Sequence, residues 1–116
     1  MSGARNYHAG LSAEDAVQRQ YEASGATCLE RRWRGRSGEI DLIFERSGLI
    51  VFVEVKTSSS FARATQRLSA RQLRRLQTTA EEYLTMLPDG LNTACQFDLG
   101  VVNGVGQVEI IPNILI

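Results

Sequence analysis

Two runs of alternating apolar and polar residues meet at Ser47-Gly48. They are Gly38-Glu39-Ile40-Asp41-Leu42-Ile43-Phe44 and Leu49-Ile50-Val51-Phe52-Val53-Glu54-Val55-Lys56. A period of two identifies strands, and the turn residues between them predict a β-hairpin. With Ser47-Gly48 as a two-residue loop, Arg46 faces Leu49, and the register pairs Asp41 with Glu54 and Glu39 with Lys56. Ile40, Leu42, Phe44, Val51, Val53 and Val55 then gather on one face. A slip of one residue would set the acids among those aliphatics, so burial selects this register. Ile43, Ile50 and Phe52 share the acidic face, which predicts that this face is covered too and that its acids have partners.

The rest of the pattern surrounds this hairpin. Leu11 to Gly25 predicts a helix with Ser12 as N-cap, Asp15 completing a short capping box, Leu11 stapled to Ala16 and Gly25 closing the end. Its stripe is Ala13, Ala16, Val17, Gln20, Tyr21 and Ser24. Glu14, at the edge of the stripe, suits either a first-turn acid complementing the helix dipole or a carboxylate aimed at whatever the helix packs against. Residues 1–10, including the single histidine His8, show no periodicity and read as a flexible arm. Ala26 to Trp33 alternates imperfectly, as an edge strand does. Thr57 to Arg63 reads as a polar, flexible loop. Ser69 to Leu87 is a helix opened by a Ser69/Gln72 capping box, with Leu73, Leu76, Ala80, Tyr83, Leu84 and Leu87 on one stripe. Thr93 to Val102 and Gln107 to Ile111 form a second hairpin, whose acids Asp98 and Glu109 read as sheet-surface residues. The apolar segment 112–116 is expected to pack rather than hang free. The order α-β-β-β-α-β-β predicts an α/β sandwich, a mixed sheet of five strands covered by helices. Residues 11–116 form one domain on this reading.

Charge changes the picture only through its distribution. Thirteen basic and thirteen acidic residues give a formal net charge of zero, which argues against a uniformly basic nucleic-acid binder. Yet Arg31, Arg32, Arg34 and Arg36 cluster, and residues 57–80 carry Arg63, Arg67, Arg71, Arg74 and Arg75 with no acid. Such clusters fit a phosphate-facing surface. Arg71, Gln72, Arg74 and Arg75 ring the start of the second long helix, where backbone N–H groups also favour an anion. Trp33 among arginines could stack on a base, although packing at a sheet margin is the commoner use. Cys28 and Cys95 lack CxxC or Cys/His spacing and read as buried free thiols. No apolar run approaches the roughly 20 residues of a membrane span, and nothing at the N-terminus has the pattern of a signal peptide, so a soluble cytoplasmic protein is expected.

The hairpin carries the candidate chemistry. Two carboxylates on rigid strands repel when both are ionised, and a shared divalent cation such as Mg²⁺ offsets that cost. Mg²⁺ keeps several waters and takes substrate phosphate oxygens, so Asp41 and Glu54 suffice as protein ligands. Lys56 is the one lysine among thirteen basic residues. Its compact ammonium suits the neighbourhood of an attacking water or a scissile phosphate. Phosphodiester hydrolysis follows from this set. The structural alternative is a solvated face with a Glu39–Lys56 cross-strand ion pair worth ~0.2–1 kcal/mol.

Asp41 followed by Glu54-x-Lys56 on the next strand resembles the PD-(D/E)xK arrangement of the restriction-endonuclease-like superfamily, in the form found in Holliday-junction resolvases. Gly38-Glu39-Ile40-Asp41-Leu42-Ile43 with Val51-Phe52-Val53-Glu54-Val55-Lys56-Thr57 is similar to the YraN family of uncharacterised bacterial proteins. The likeness continues through Ala13-Glu14, Arg32-Trp33-Arg34, Ala80-Glu81-Glu82-Tyr83-Leu84 and Phe97-Asp98. It implies Asp41 and Glu54 as metal ligands, Lys56 as the catalytic lysine, and Glu14 as a further acid reaching the site. It also implies an endonuclease using Mg²⁺ or Mn²⁺ on DNA, branched or junction DNA included, working as a homodimer. Arg34, Arg36, Arg63, Arg71, Gln72 and Arg75 are the candidate nucleic-acid contacts. Arg71, Gln96 and Ala62 stand where the family usually has Lys, Arg and Gly. The competing function is a catalytically silent module of the same fold that binds nucleic acid or a protein.

Overall fold

The computed structural model describes the backbone of residues 2–115 and the side chains from Ser12 to Leu115. Its elements are α1 (Ser2–Ala23), β1 (Thr27–Arg34), β2 (Glu39–Arg46), β3 (Leu49–Thr57), α2 (Phe61–Gln66), α3 (Ala70–Leu84), a 3-10 turn (Gly90–Asn92), β4 (Cys95–Val102) and β5 (Val108–Ile111). The strands form one sheet in the order β1-β2-β3-β4-β5. All neighbours are antiparallel except β3 and β4. Parallel neighbours need a crossover, and α2 with α3 supplies it. The mixed five-stranded sheet between helices is the sandwich expected from the pattern.

Both faces of the sheet are buried. Ala13, Val17 and Tyr21 of α1 pack on Leu42, Phe44, Val51, Val53 and Val102. Leu76, Ala80, Tyr83 and Leu84 of α3 pack on Ile40, Ile43, Ile50 and Phe52 from the other side. Ala64 of α2 covers Leu99 and Val101, with Ile114 of the tail against the same cluster. The apolar tail therefore packs as its composition demands. Gly100 lets α1 approach closely, since a Cβ there would lie 3.0 Å from both Val17 methyls.

The hairpin register starts as the alternation selects, with Arg46 across from Leu49 and the pairing continuing to Leu42 across from Val53; the ladder stops there, so the expected cross-strand pairs Asp41–Glu54 and Glu39–Lys56 are not part of it. Ser47 and Gly48 both have positive φ, at 53° and 82°, which suits a two-residue hairpin loop. Ser69 caps α3 with the reciprocal Gln72 contacts expected of a capping box. The helix ends at Leu84, three residues earlier than expected.

Five expectations need correction. The first helix begins at Ser2 and not at Ser12, so the segment expected to be a flexible arm continues as helix from Ser2; Met1 lies outside the described residues. Asp15, which would have completed a cap at Ser12, is instead 2.7 Å from Arg31. The polar loop after β3 contains α2, capped by Ser60. Ile40 packs toward α3, not with Leu42 and Phe44 toward α1. Asp98 is buried rather than a sheet-surface acid.

Candidate metal and phosphate site

Asp41 enters the site because β2 changes its pleat there. Ile40 faces α3 and Leu42 faces α1. Strict alternation would put both on one face. At this level the Val55 N–H donates to Asp41 Oδ2 at 2.8 Å, so a side chain supplies the acceptor. That bond fixes the Asp41 carboxylate against β3. β1 departs from regularity at the same level. Arg32, between the pairs Arg31–Leu42 and Trp33–Ile40, has φ 51°, a left-handed conformation uncommon for arginine.

Glu54 lies two residues after Phe52 on the α3 side, among Ile40, Leu76, Phe97 and Ile114. Its carboxyl is within hydrogen-bonding reach of Asp41. Burial, then the negative charge of Asp41, then that hydrogen bond raise its pKa to about 8, against a smaller opposing pull from Lys56. Lys56 Nζ is 3.5 Å from Glu54 Oε2. Asp41, Glu54 and Lys56 thus come together. Glu39 is not the partner of Lys56: it accepts from Arg34 at 3.2 Å instead.

Glu14 is buried, and the fork of Arg32 holds it, with Nε at 3.0 Å from Oε1 and Nη2 at 3.3 Å from Oε2. Arg31 adds a contact at 3.7 Å. The acid that the family resemblance brings into the site therefore engages the residue of β1 that lies across from Asp41. Its position in the first turn no longer matters, because α1 starts well before it.

The basic candidates fall into two groups. Arg34 is tied to Glu39, while the main chain of Arg36 donates to Glu82 at 2.8 Å. Ser37 N–H donates to the same carboxylate at 3.0 Å, so Glu82 of α3 pins the β1–β2 turn and its own pKa is lowered by those backbone donors. Arg63, Arg71, Arg74 and Arg75 are exposed along α2 and the start of α3. The Arg75 methylenes lie against Gly38, at the entry to β2, where an added Cβ would meet Cδ at 3.1 Å. Leu76 beside it lines the same small cavity as Glu54. The basic half of α3 is therefore next to the acidic pair. Gln72 is engaged in its cap, through Oε1 at 3.1 Å from the Ser69 N–H. Trp33 packs edge-on against Tyr83 at 5.2 Å, the sheet-margin role.

Asp98 is a buried carboxylate that the alternation did not single out. It accepts from Tyr21 Oη at 2.5 Å, Gln96 Nε2 at 2.8 Å and Asn113 N–H at 3.2 Å. Burial and this carboxylate push the Tyr21 phenol well above its ordinary range. The signal available was topological, since β4 lies between β3 and β5 and is covered on both faces. Cys28 and Cys95 are free, half-buried thiols, each raised in pKa chiefly by burial.

The chemistry of the donor set fits a hard divalent cation. Two carboxyls forced together, one of them raised in pKa, present the repulsion that such an ion relieves. Among the described residues no group of three or more His, Cys, Asp or Glu converges. Asp41 and Glu54 would be the protein ligands, with water and substrate oxygens completing a shell as Mg²⁺ commonly requires. No helix among the described residues is long and apolar enough to cross a membrane.

Comparison with known proteins agrees with the sequence resemblance. A profile described as uncharacterised protein family UPF0102 matches residues 13–102. A UPF0102 protein of Roseobacter denitrificans is 50% identical over 114 residues, covering 98% of this chain and 88% of that protein. One from Ruegeria pomeroyi is 50% identical over 111 residues, covering 96% and 90% respectively. One from Cereibacter sphaeroides strain KD131 is 50% identical over 113 residues, covering 97% of each chain. The matched span contains Glu14, Arg32, Asp41, Glu54, Lys56 and Asp98, and the chain belongs to the uncharacterised protein family UPF0102, the YraN family.

Proposed function

We propose that this protein is a metal-dependent endonuclease that hydrolyses phosphodiester bonds in DNA, branched or junction DNA included. The observation that carries the reading is the convergence of Asp41 and Glu54, with Lys56 3.5 Å from Glu54. A bound Mg²⁺ or Mn²⁺ would polarise the phosphate and lower the pKa of a coordinated water. Asp41, fixed by the Val55 N–H, and Glu54 would hold that ion. Lys56 would orient the attacking water and stabilise the charge that develops on the phosphate oxygens. The arginines of α2 and of the start of α3 would neutralise the flanking backbone. Trp33 and Arg34 are less suited to substrate contact, because packing or pairing already engages their side chains, whereas Arg36 is held through its main chain and keeps an exposed side chain.

The experiment is a cleavage assay on linear duplex, single-stranded and four-way-junction DNA with Mg²⁺, Mn²⁺ or EDTA. Cutting should require metal and be abolished by Asp41→Asn, while DNA binding and folding are kept. Absence of metal-dependent cutting on every substrate, or an Asp41→Asn variant as active as the wild type, would overturn the reading.

One observation favours the silent module: Lys56 neutralises Glu54 and Arg32 neutralises Glu14 without any metal. That reading expects DNA binding without turnover, and the same assay separates the two. Two-strand cutting would use two copies of the site, so sedimentation of the protein on junction DNA should give two chains per junction.

A further inference from the structure

A second site lies where the parallel strands end. β3 finishes at Thr57 and β4 at Val102, directly paired. A cleft of about 600 Å³ opens beside them, between α1 and the loops that follow both strands. Ligands of open α/β sheets bind outside the carboxyl ends of parallel strands, and this is the one such end in the sheet.

The lining is chemically one-sided. Arg19 of α1 contributes a guanidinium, and Ser12, Thr57, Ser58 and Ser59 contribute hydroxyls. No lining residue is acidic, and neither residues 1–11 nor residues 57–80 contain an Asp or Glu. The acids one helical turn from Arg19 are engaged elsewhere: Asp15 bonds Arg31 at 2.7 Å, and Glu22 accepts from Gln18 at 3.2 Å. Among the described residues Arg19 forms no ion pair. The opposite wall is braced by Asn103, whose Oδ1 accepts from Val105 N–H at 3.1 Å and Gln107 N–H at 2.9 Å. A Cβ on Gly104 would meet nothing within 4 Å, so a ligand can approach its backbone. One cation, several hydroxyls, an open backbone and no carboxylate select an anion rich in hydrogen-bond acceptors.

Thr57 follows Lys56 at the end of β3 but points to the opposite face, so the cleft and the candidate site lie on the two sides of the same carboxyl end of the sheet. We infer that it is a phosphate subsite, holding a backbone phosphate of the nucleic-acid strand that flanks the Asp41–Glu54 pair. The identity of the ligand as a strand rests on the nuclease reading; its anionic character rests on the lining alone. Arg19 supplies the charge, while the hydroxyls of the β3–α2 loop supply hydrogen bonds that do not depend on base sequence.

The test is fluorescence anisotropy of labelled duplex and four-way-junction DNA in EDTA over a series of salt concentrations. Wild type is compared with Arg19→Ala and Ser59→Asp, two exposed positions, with thermal melting as the folding check. Loss of one phosphate contact should weaken binding about 3- to 10-fold in Arg19→Ala and lower the slope of log affinity against log salt by about 1. Ser59→Asp should weaken binding at least as much. Unchanged affinity and slope in both variants, or no binding by the wild type, overturns the inference. Displacement of DNA by micromolar inorganic phosphate overturns the strand assignment in favour of a small phosphate ester. The nuclease reading fails on different evidence, namely no metal-dependent cutting while the Arg19 effect on binding persists.

Discussion

Arg32 on β1 lies across the sheet from Asp41 on β2, and each marks the point where its strand stops alternating. Arg31 reaches α1 through Asp15 and Gln18, Arg32 reaches α1 through Glu14, and Trp33 packs against α3. Two consecutive residues on one face need the left-handed φ of Arg32. Asp41 makes the matching step in β2, from Ile40 on one face to Leu42 on the other. The acidic pair thus sits at an interruption of the sheet shared by two strands, where a side chain can bond in the plane of the ladder.

Arg32→Gly keeps the backbone conformation, because glycine adopts positive φ freely. It leaves the buried Glu14 with only the distant Arg31. A loss of about 1–3 kcal/mol in urea denaturation is expected for the stranded carboxylate. Adding Glu14→Gln should recover part of that loss. A double variant showing the plain sum of the two single effects would mean that the fork contributes nothing as a pair.

Glu54 gives stability a pH dependence of a defined sign. Its pKa is raised from 4.5 to about 8 on folding, so between those values the folded chain binds more protons than the unfolded one. Its contribution is full below the unfolded value and is lost as pH rises through the folded one. Glu54→Gln should melt several degrees above wild type at about pH 9 and lose less stability between about pH 5 and that value. Mg²⁺ should raise the melting temperature of the wild type at high pH but not that of Glu54→Gln. Parallel melting curves for the two proteins across pH would refute this account.

Lys56 acts through a compact ammonium on this reading. Lys56→Met should lower single-turnover cleavage by about 10²–10⁴-fold while changing DNA affinity little. Lys56→Arg should fail to restore the rate, since a planar guanidinium cannot take the same place. An arginine variant at wild-type rate would limit the residue to charge neutralisation.

Gly100 and Val17 set the spacing of α1 on the sheet. Gly100→Ala would press a methyl against both Val17 methyls at 3.0 Å and should cost about 1–3 kcal/mol. Val17→Ala opens a gap of its own, yet in its presence Gly100→Ala should be nearly free. Denaturant midpoints of the four proteins measure that coupling.

Asp98 holds three elements with one carboxylate: α1 through Tyr21, its own strand through Gln96, and the segment after β5 through Asn113. Asp98→Ala should cost more than Tyr21→Phe, which removes one donor of three. The expected losses are about 3–5 kcal/mol and about 1–3 kcal/mol. Equal losses would reduce the network to the single Tyr21 bond.

The hairpin register was legible in the sequence because a two-residue loop and two buried faces leave one pairing. Ser69 and Gln72 announced α3 because a capping box is a local device. Ile40 was misplaced because alternation presumes an unbroken ladder, and the break at Asp41 is made by a side-chain hydrogen bond that no pattern displays. Ser12 is not a helix start because α1 runs on past it to Ser2, and Asp15, suited to a cap by spacing, bonds an arginine sixteen residues away instead. The six residues of α2 were hidden in a serine-rich run whose last member turned out to be its cap. Asp98 was misread because its burial depends on what lies either side of β4, a property of the assembled sheet.

The left-handed turn at Arg32 has a consequence for the outer margin of the sheet. β1 is an edge strand of eight residues, and its free N–H and C=O groups could template a strand from another chain. A bulge between Cys28 and Glu30 and the reversed backbone at Arg32 divide that margin into pieces out of line with one another. The distortion that brings Asp41 against β3 therefore also guards the protein against edge-to-edge aggregation.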